Sequence, residues 1–163
     1  MPNGLLLADS FAANGFATYV VDYLKGDPAS MEGYQKGTFD LGKWIQSHSP
    51  KEVALPLVDK VQDALKEDGV KRFGCVSFCY GGRVAVDKVL NVSSCFVYLR
   101  HSKDTINVST TRQGSLDVAV TAHPSLLEVP KDIEALNSKS VPFLFNNASE
   151  DVMVSLPLCN AIP

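Results

Sequence analysis

The sequence predicts an α/β fold: a mostly parallel sheet with helices on both faces. Helix and strand patterns alternate from the first residue, which is the signature of that class. The strand candidates carry apolar residues on both sides, as strands buried on both faces do. The chain has 163 residues, 45% hydrophobic and 20% charged, the ordinary balance of one globular domain. The expectation is therefore a single domain over 1–163, with an irregular insertion at about 92–115.

Asn3 is placed to cap a helix over Gly4 to Ala13, with Leu6, Leu7 and Phe11 on its apolar face and Asn14-Gly15 as the stop. Phe16 to Val21 holds Thr, Tyr and Val and reads as a strand, ended by the turn Lys25-Gly26-Asp27-Pro28. Residues 29–48 are polar and mixed, a loop with one helical turn around Trp44. Ser49, Pro50 and Glu52 make a capping box with proline in the first turn. Val53, Leu57, Val58, Val61, Ala64 and Leu65 then share one helical face up to Asp68-Gly69. Pro56 predicts a kink or a restart of that helix.

Arg72 to Phe78 is the next strand, and a helix follows from about Gly81 to Leu90. The stretch 92–115 has neither helical nor strand period. Asp117 to Ala122 is a strand bounded by His123-Pro124-Ser125. A helix near Lys131 to Leu136 and a strand at Val141 to Phe145 follow, with Pro142 weakening the strand's start. In open α/β sheets, sites form at the carboxyl ends of the strands. The residues to inspect are then Asp22, Cys79, His123 and the 146–151 loop.

Fifteen Lys and Arg against eighteen Asp and Glu give a net charge of -3, too mild and scattered for a nucleic-acid or anionic-membrane surface. No apolar run reaches the roughly 18 residues of a membrane span. The start MPNGLLLADSF lacks a signal peptide's basic n-region, so a cytoplasmic location with reduced thiols is expected. Cysteines at 75, 79, 95 and 159 lack CxxC spacing, which argues against structural zinc. No cofactor or metal is implied, and oligomeric state is not encoded in any pattern.

Ser77-Phe78-Cys79-Tyr80-Gly81-Gly82 lies between a strand and a helix, the setting of a nucleophile elbow. So tight a turn needs small residues beside the nucleophile, and Ser77 and Gly81 satisfy that. Cys79 would stand at its apex, where the positive end of a helix favours thiolate. The Tyr80 N–H is then available as half of an oxyanion hole. A free cysteine is more usually a small buried apolar residue; here the strand–turn–helix context reverses that ordinary reading. Cys75, four residues earlier inside the strand, reads as core.

With these residues the chain resembles the dienelactone hydrolase family of the α/β-hydrolase fold, in its fungal-type branch. The resemblance is carried by ADSFAANGFATYVVDYLKGDP (8–28), HSPKEVALPLVDKVQDALKEDGVKRFG (48–74), FCYGGRVAVD (78–87), LDVAVTAHPSLLEVPKDIEAL (116–136) and VPFLFNNASED (141–151). It implies a partial α/β-hydrolase fold, incomplete at its N- and C-terminal ends. It also implies a Cys–His–Asp triad that opens small esters or lactones. Carried over by position, Cys79 is the nucleophile and Asp151 the acid, with Glu150 next to it as the substitute. Tyr80 supplies an oxyanion amide and His123 a wall of the substrate pocket.

The family's catalytic His follows the acid, and this sequence has no His beyond His123. The alternative is therefore a non-catalytic remnant or small-molecule-binding pseudo-enzyme. A class I glutamine amidotransferase also puts Cys on such a turn but needs a later His-x-Glu, which is absent. A thiol redox sensor at Cys79 lacks an evident resolving Cys.

Overall fold

The computed structural model describes residues 2–91, 100–101 and 116–147. In chain order these form α1 (Pro2–Ala13), β1 (Phe16–Ala17), α2 (Met31–Gln35), α3 (Leu41–Ser47), a π-helical turn (Pro50–Ala54), α4 (Leu55–Glu67), β2 (Gly74–Phe78), α5 (Tyr80–Asn91), β3 (Arg100–His101), β4 (Val118–Ala122), α6 (Lys131–Asn137) and β5 (Phe143–Asn146). Apart from β3, the insertion expected at 92–115 lies outside the described residues.

β2, β4 and β5 pair in that order as a parallel sheet. Gly74 faces Val118 and Phe78 faces Ala122. Ala119 faces Phe143, and Ala122 faces Asn146. All three carboxyl ends therefore share one edge. Cys75, Ser77, Ala119 and Thr121 make one buried row of side chains, against which α5 packs. Val84, Ala85, Val86 and Val89 of α5 join Ala54, Val58, Leu65 and Leu136 in the core beneath it. Cys75 is core as expected, but it is disulfide-bonded and not a reduced thiol.

Several elements differ from expectation. The strand read at 16–21 is reduced to Phe16–Ala17, which pairs antiparallel with Arg100–His101 and not with the parallel sheet. Strand propensity favours an extended chain, but a neighbour must supply the ladder. Tyr19 and Val20 are exposed. Asn3 lies inside α1 and is not its cap. Residues 29–48 hold two short helices. Ser30 accepts from the Gly33 N–H at 3.0 Å and Asp40 accepts from the Lys43 N–H at 3.0 Å, each closing a first turn. The Ser49 capping box does not form through its side chain. A π turn intervenes, and the α-helix restarts with Pro56 in its first turn, where the missing N–H costs nothing.

One interior charge sets an alkaline response. Lys88 of α5 is 1% exposed and donates to Gln62 Oε1 at 2.6 Å and Asp59 Oδ1 at 3.1 Å. Burial lowers its pKa from 10.5 to about 8 against the pull of Asp59. Below that pH the folded state must hold the charge, at a cost of about 3 kcal/mol. Between about 8 and 10.5 only the unfolded chain keeps the proton, so stability rises with pH. Tyr23 acts in the opposite sense. Its folded pKa is pushed from 10.0 up to about 12, so the unfolded chain ionises first and stability falls above 10. Urea midpoints measured across alkaline pH should therefore pass through a maximum near pH 10, and Lys88→Met should remove the rising limb. A monotonic fall from neutral pH would contradict this.

Candidate active site

β2 ends at Phe78 and α5 begins at Tyr80, so Cys79 alone turns the chain. Its φ is +50°, a left-handed conformation that side-chain-bearing residues rarely adopt. The cysteine is exposed and its thiol is free. The small neighbours are sterically required. A Cβ on Gly81 would stand 3.3 Å from the Ser77 Cβ, and one on Gly82 would stand 2.5 Å from the Pro124 Cβ and 2.8 Å from its Cα. Tyr80 opens α5, so its N–H is among the helix amides that lack an intrahelical acceptor.

The parallel ladder continues past the strand ends. The Cys79 N–H donates to the Ala122 carbonyl at 3.2 Å, the His123 N–H to the Asn146 carbonyl at 2.9 Å, and the Ser125 N–H back to the Cys79 carbonyl at 3.0 Å. The segment Ala122-His123-Pro124-Ser125 thus brackets the elbow. Its backbone is bent to do so, with φ +37° at His123 and +63° at Leu126. The Cys79 Sγ lies 3.8 Å from the Ser125 Oγ.

An aromatic group borders the elbow. Tyr23 stacks on Tyr80 with ring centres 5.7 Å apart and planes 4° apart, and Trp44 meets Tyr80 edge-on at 6.0 Å. The Tyr80 hydroxyl donates to the His48 carbonyl at 2.6 Å. Burial first, then the negative charges possible at Cys79 and Asp22, push the Tyr23 phenol up to about 12. Burial and then Tyr23 push the Tyr80 phenol higher still. Both rings are neutral hydrogen-bonding groups at physiological pH.

The three histidines lie as follows. His123 stands on the expected edge, exposed, with its ring 6.2 Å from that of Phe78. α2 and α3 fold back and bring the His48 carbonyl onto Tyr80. The His48 ring stacks on Trp44 at 4.3 Å, with Nδ1 2.9 Å from the Trp44 carbonyl and Nε2 3.3 Å from Asp27. Only the backbone of His101 is described, within β3. Neither the His48 nor the His123 ring bonds the sulfur among the described residues. Asp151 and Glu150 lie outside the described residues. Cys79, Tyr80 and His123 come together at one sheet edge. Ser125 and Tyr23 were missed. Ser125 read only as a strand boundary, and nothing local marks a hydroxyl that meets a sulfur 46 residues away.

A separate cavity of about 660 Å³ is lined by α1, Thr18–Asp22 and Leu57, Lys60 and Val61 of α4, and Cys79 is not on its wall. No group of three His, Cys, Asp or Glu among the described residues suits a metal ion. No described helix is long and apolar enough to cross a membrane.

Comparison with curated proteins finds relatives of one kind. The chain is 29% identical over 134 residues to the hydrolase pyvD of Aspergillus violaceofuscus, covering 82% of this chain and 44% of that protein. It is 28% identical to dienlactone hydrolase 1 of Gibberella moniliformis, covering 72% of this chain and 47% of the relative. It is 29% identical to the carboxymethylenebutenolidase homolog of Mus musculus, covering 66% and 46%. The chain thus spans about half the length of the curated relatives it matches. No protein-family model and no solved structure matches it. Together with the parallel α/β sheet and the Cys79 turn, these relatives support the resemblance to the dienelactone hydrolase family.

Proposed function

We propose that this chain is a thiol hydrolase of small esters or lactones, with Cys79 as its nucleophile. The observation that carries the reading is the free, exposed thiol held at φ +50° between a parallel strand and a helix N-terminus. Strain of this kind is retained where surrounding structure over-determines it, and such positions cluster at active sites.

In this reading the Cys79 thiolate attacks the carbonyl carbon, and the C=O pair moves onto oxygen. The Tyr80 N–H receives that oxyanion. Collapse expels the alcohol or opens the lactone, leaving an acyl-cysteine thioester that water hydrolyses. His123 and Phe78 form one wall beside the sulfur, and Tyr23 with Tyr80 the other. Asp151 is the proposed triad acid, and Cys79 and Tyr80 form the attacking side of the site. A small-molecule substrate is the partner implied, with no cofactor in the reaction. A second reading, acylation without efficient turnover or binding alone, is favoured by one observation. Among the described residues, neither the His48 ring, bonded to the Trp44 carbonyl, nor the exposed His123 ring bonds the sulfur.

Hydrolysis of p-nitrophenyl acetate tests this. A burst of p-nitrophenol stoichiometric with protein is expected, and Cys79→Ala should abolish it while leaving the melting transition unchanged. Sustained turnover after the burst would show that a base serves the site. A Cys79→Ala variant as active as the parent would overturn the proposal.

A further inference from the structure

We infer that Ser125 is a positioning residue for the Cys79 sulfur. Its hydroxyl lies 3.8 Å from that sulfur, within the longer reach of sulfur hydrogen bonds. Ser125 is 5% exposed, so its hydroxyl exchanges little with water, and burial costs free energy unless a partner satisfies it. A hydroxyl rotates freely. It accepts from the thiol and, turned about its C–O bond, donates to the thiolate, so one residue serves both protonation states.

Ser125 is held in place independently of that contact. Its N–H donates to the Cys79 carbonyl while the Cys79 N–H donates to the Ala122 carbonyl. Two backbone bonds therefore tie the segment to the residue whose side chain Ser125 touches. Pro124 lies against Gly82 so closely that no methyl fits between them. Leu126, directly after Ser125, is held by its carbonyl on Arg83 Nη1 at 3.5 Å. The hydroxyl is thus carried on a rigid bracket, the condition for fixing a neighbour's orientation. The nearby titratable groups are the Tyr23 phenol, coupled to Cys79 and Asp22, the Tyr80 phenol stacked on it and the exposed His123.

The inference rests on Cys79 being the reactive sulfur, but its test needs no ester. Iodoacetamide forms an S–C bond to Cys79 and releases iodide. Peptide mapping by mass spectrometry isolates that site from the other cysteines. Measured from mildly acidic to alkaline pH, the Ser125→Ala profile should move to higher pH, with alkylation near neutrality slowed about fivefold. Ser125→Thr, which keeps the hydroxyl, should retain the parent profile. An Ala profile that matches the parent overturns the inference, as does a Thr profile that matches Ala, since packing and not the hydroxyl would then be responsible. Should Ser125→Ala fail to fold, the S–H stretch of the parent chain, taken as the difference from Cys79→Ala, decides. A band lowered by hydrogen bonding supports the inference, and a free-thiol band overturns it. A lost ester burst with an intact Ser125 effect would defeat the hydrolase reading alone.

Discussion

Gly82→Ala should destabilise the folded chain by about 3 kcal/mol, within the range for overpacking a rigid site. Ordinarily the exchange would help, because Ala is the better helix former by roughly 1 kcal/mol. Here the added methyl would stand 2.5 Å from the Pro124 Cβ, 2.8 Å from the Pro124 Cα and 2.9 Å from the Thr121 Oγ1. Two of those atoms belong to a proline held between His123, bonded to the Asn146 carbonyl, and Ser125, bonded to the Cys79 carbonyl, so they cannot simply rotate away. Relief requires β4 and α5 to separate, which opens the core around Val84, Ala85 and Ala119. Urea unfolding followed by circular dichroism measures the loss. The Cys79 burst should weaken as well, because the bracket moves with Pro124. An unchanged midpoint would show that the segment is looser than these distances require.

Asp132→Ala should cost a similar amount by a different cause. Asp132 is nearly buried. Its Oδ2 pairs with Arg83 Nη1 and accepts the Glu128 N–H. The Arg83 guanidinium also pairs with Asp87 through Nη2 and donates to the Leu126 carbonyl. Burial works against the charge on Arg83, but the two carboxylates outweigh it and raise its pKa. Removing one carboxylate leaves a buried cation and a backbone donor short of an acceptor. Breaking a buried pair in this way typically costs 3–5 kcal/mol. Asp87 remains as a partner, so about 3 kcal/mol is expected. Asp132→Asn, which still accepts from the Glu128 N–H, should lose less. Equal losses in the two variants would place the whole effect in the lost charge and none in the Glu128 hydrogen bond or the packing. Gly82 presses on Pro124 near one end of the 123–132 segment, and Asp132 anchors the other end. If that segment moves as one body, their combined loss should be smaller than the sum.

The sequence was most legible where the controlling interactions are local. The elbow, α5 and α6 follow from neighbours in the chain: small residues about Cys79, the helical run after Tyr80, and the acidic first turn of α6 at Asp132 and Glu134. The restart of α4 was signalled by Pro56, whose ring forbids an interior hydrogen bond. The two short helices in 29–48 also had local signals, the caps Ser30 and Asp40. They were hidden by the polar composition of their surroundings. Phe16 to Val21 fails for the opposite reason. Its residues suit a strand, but strand formation needs a partner that the segment does not contain. The contact of His48 with Tyr80 had no local signal, because it depends on the packing of Trp44 against Tyr80.

By itself the sequence determined that Cys79 turns the chain from strand to helix, because Ser77, Gly81 and Gly82 leave room for so sharp a bend and larger residues would not. Only the tertiary structure decided what the sulfur meets. The register of β4 on β2 carries the chain past Cys79 and brings Ser125 to it across 46 residues. The stacking of Tyr23 on Tyr80 likewise sets the aromatic side of the site. Such meetings depend on which strands pair and in what register, and that choice belongs to the buried core as a whole.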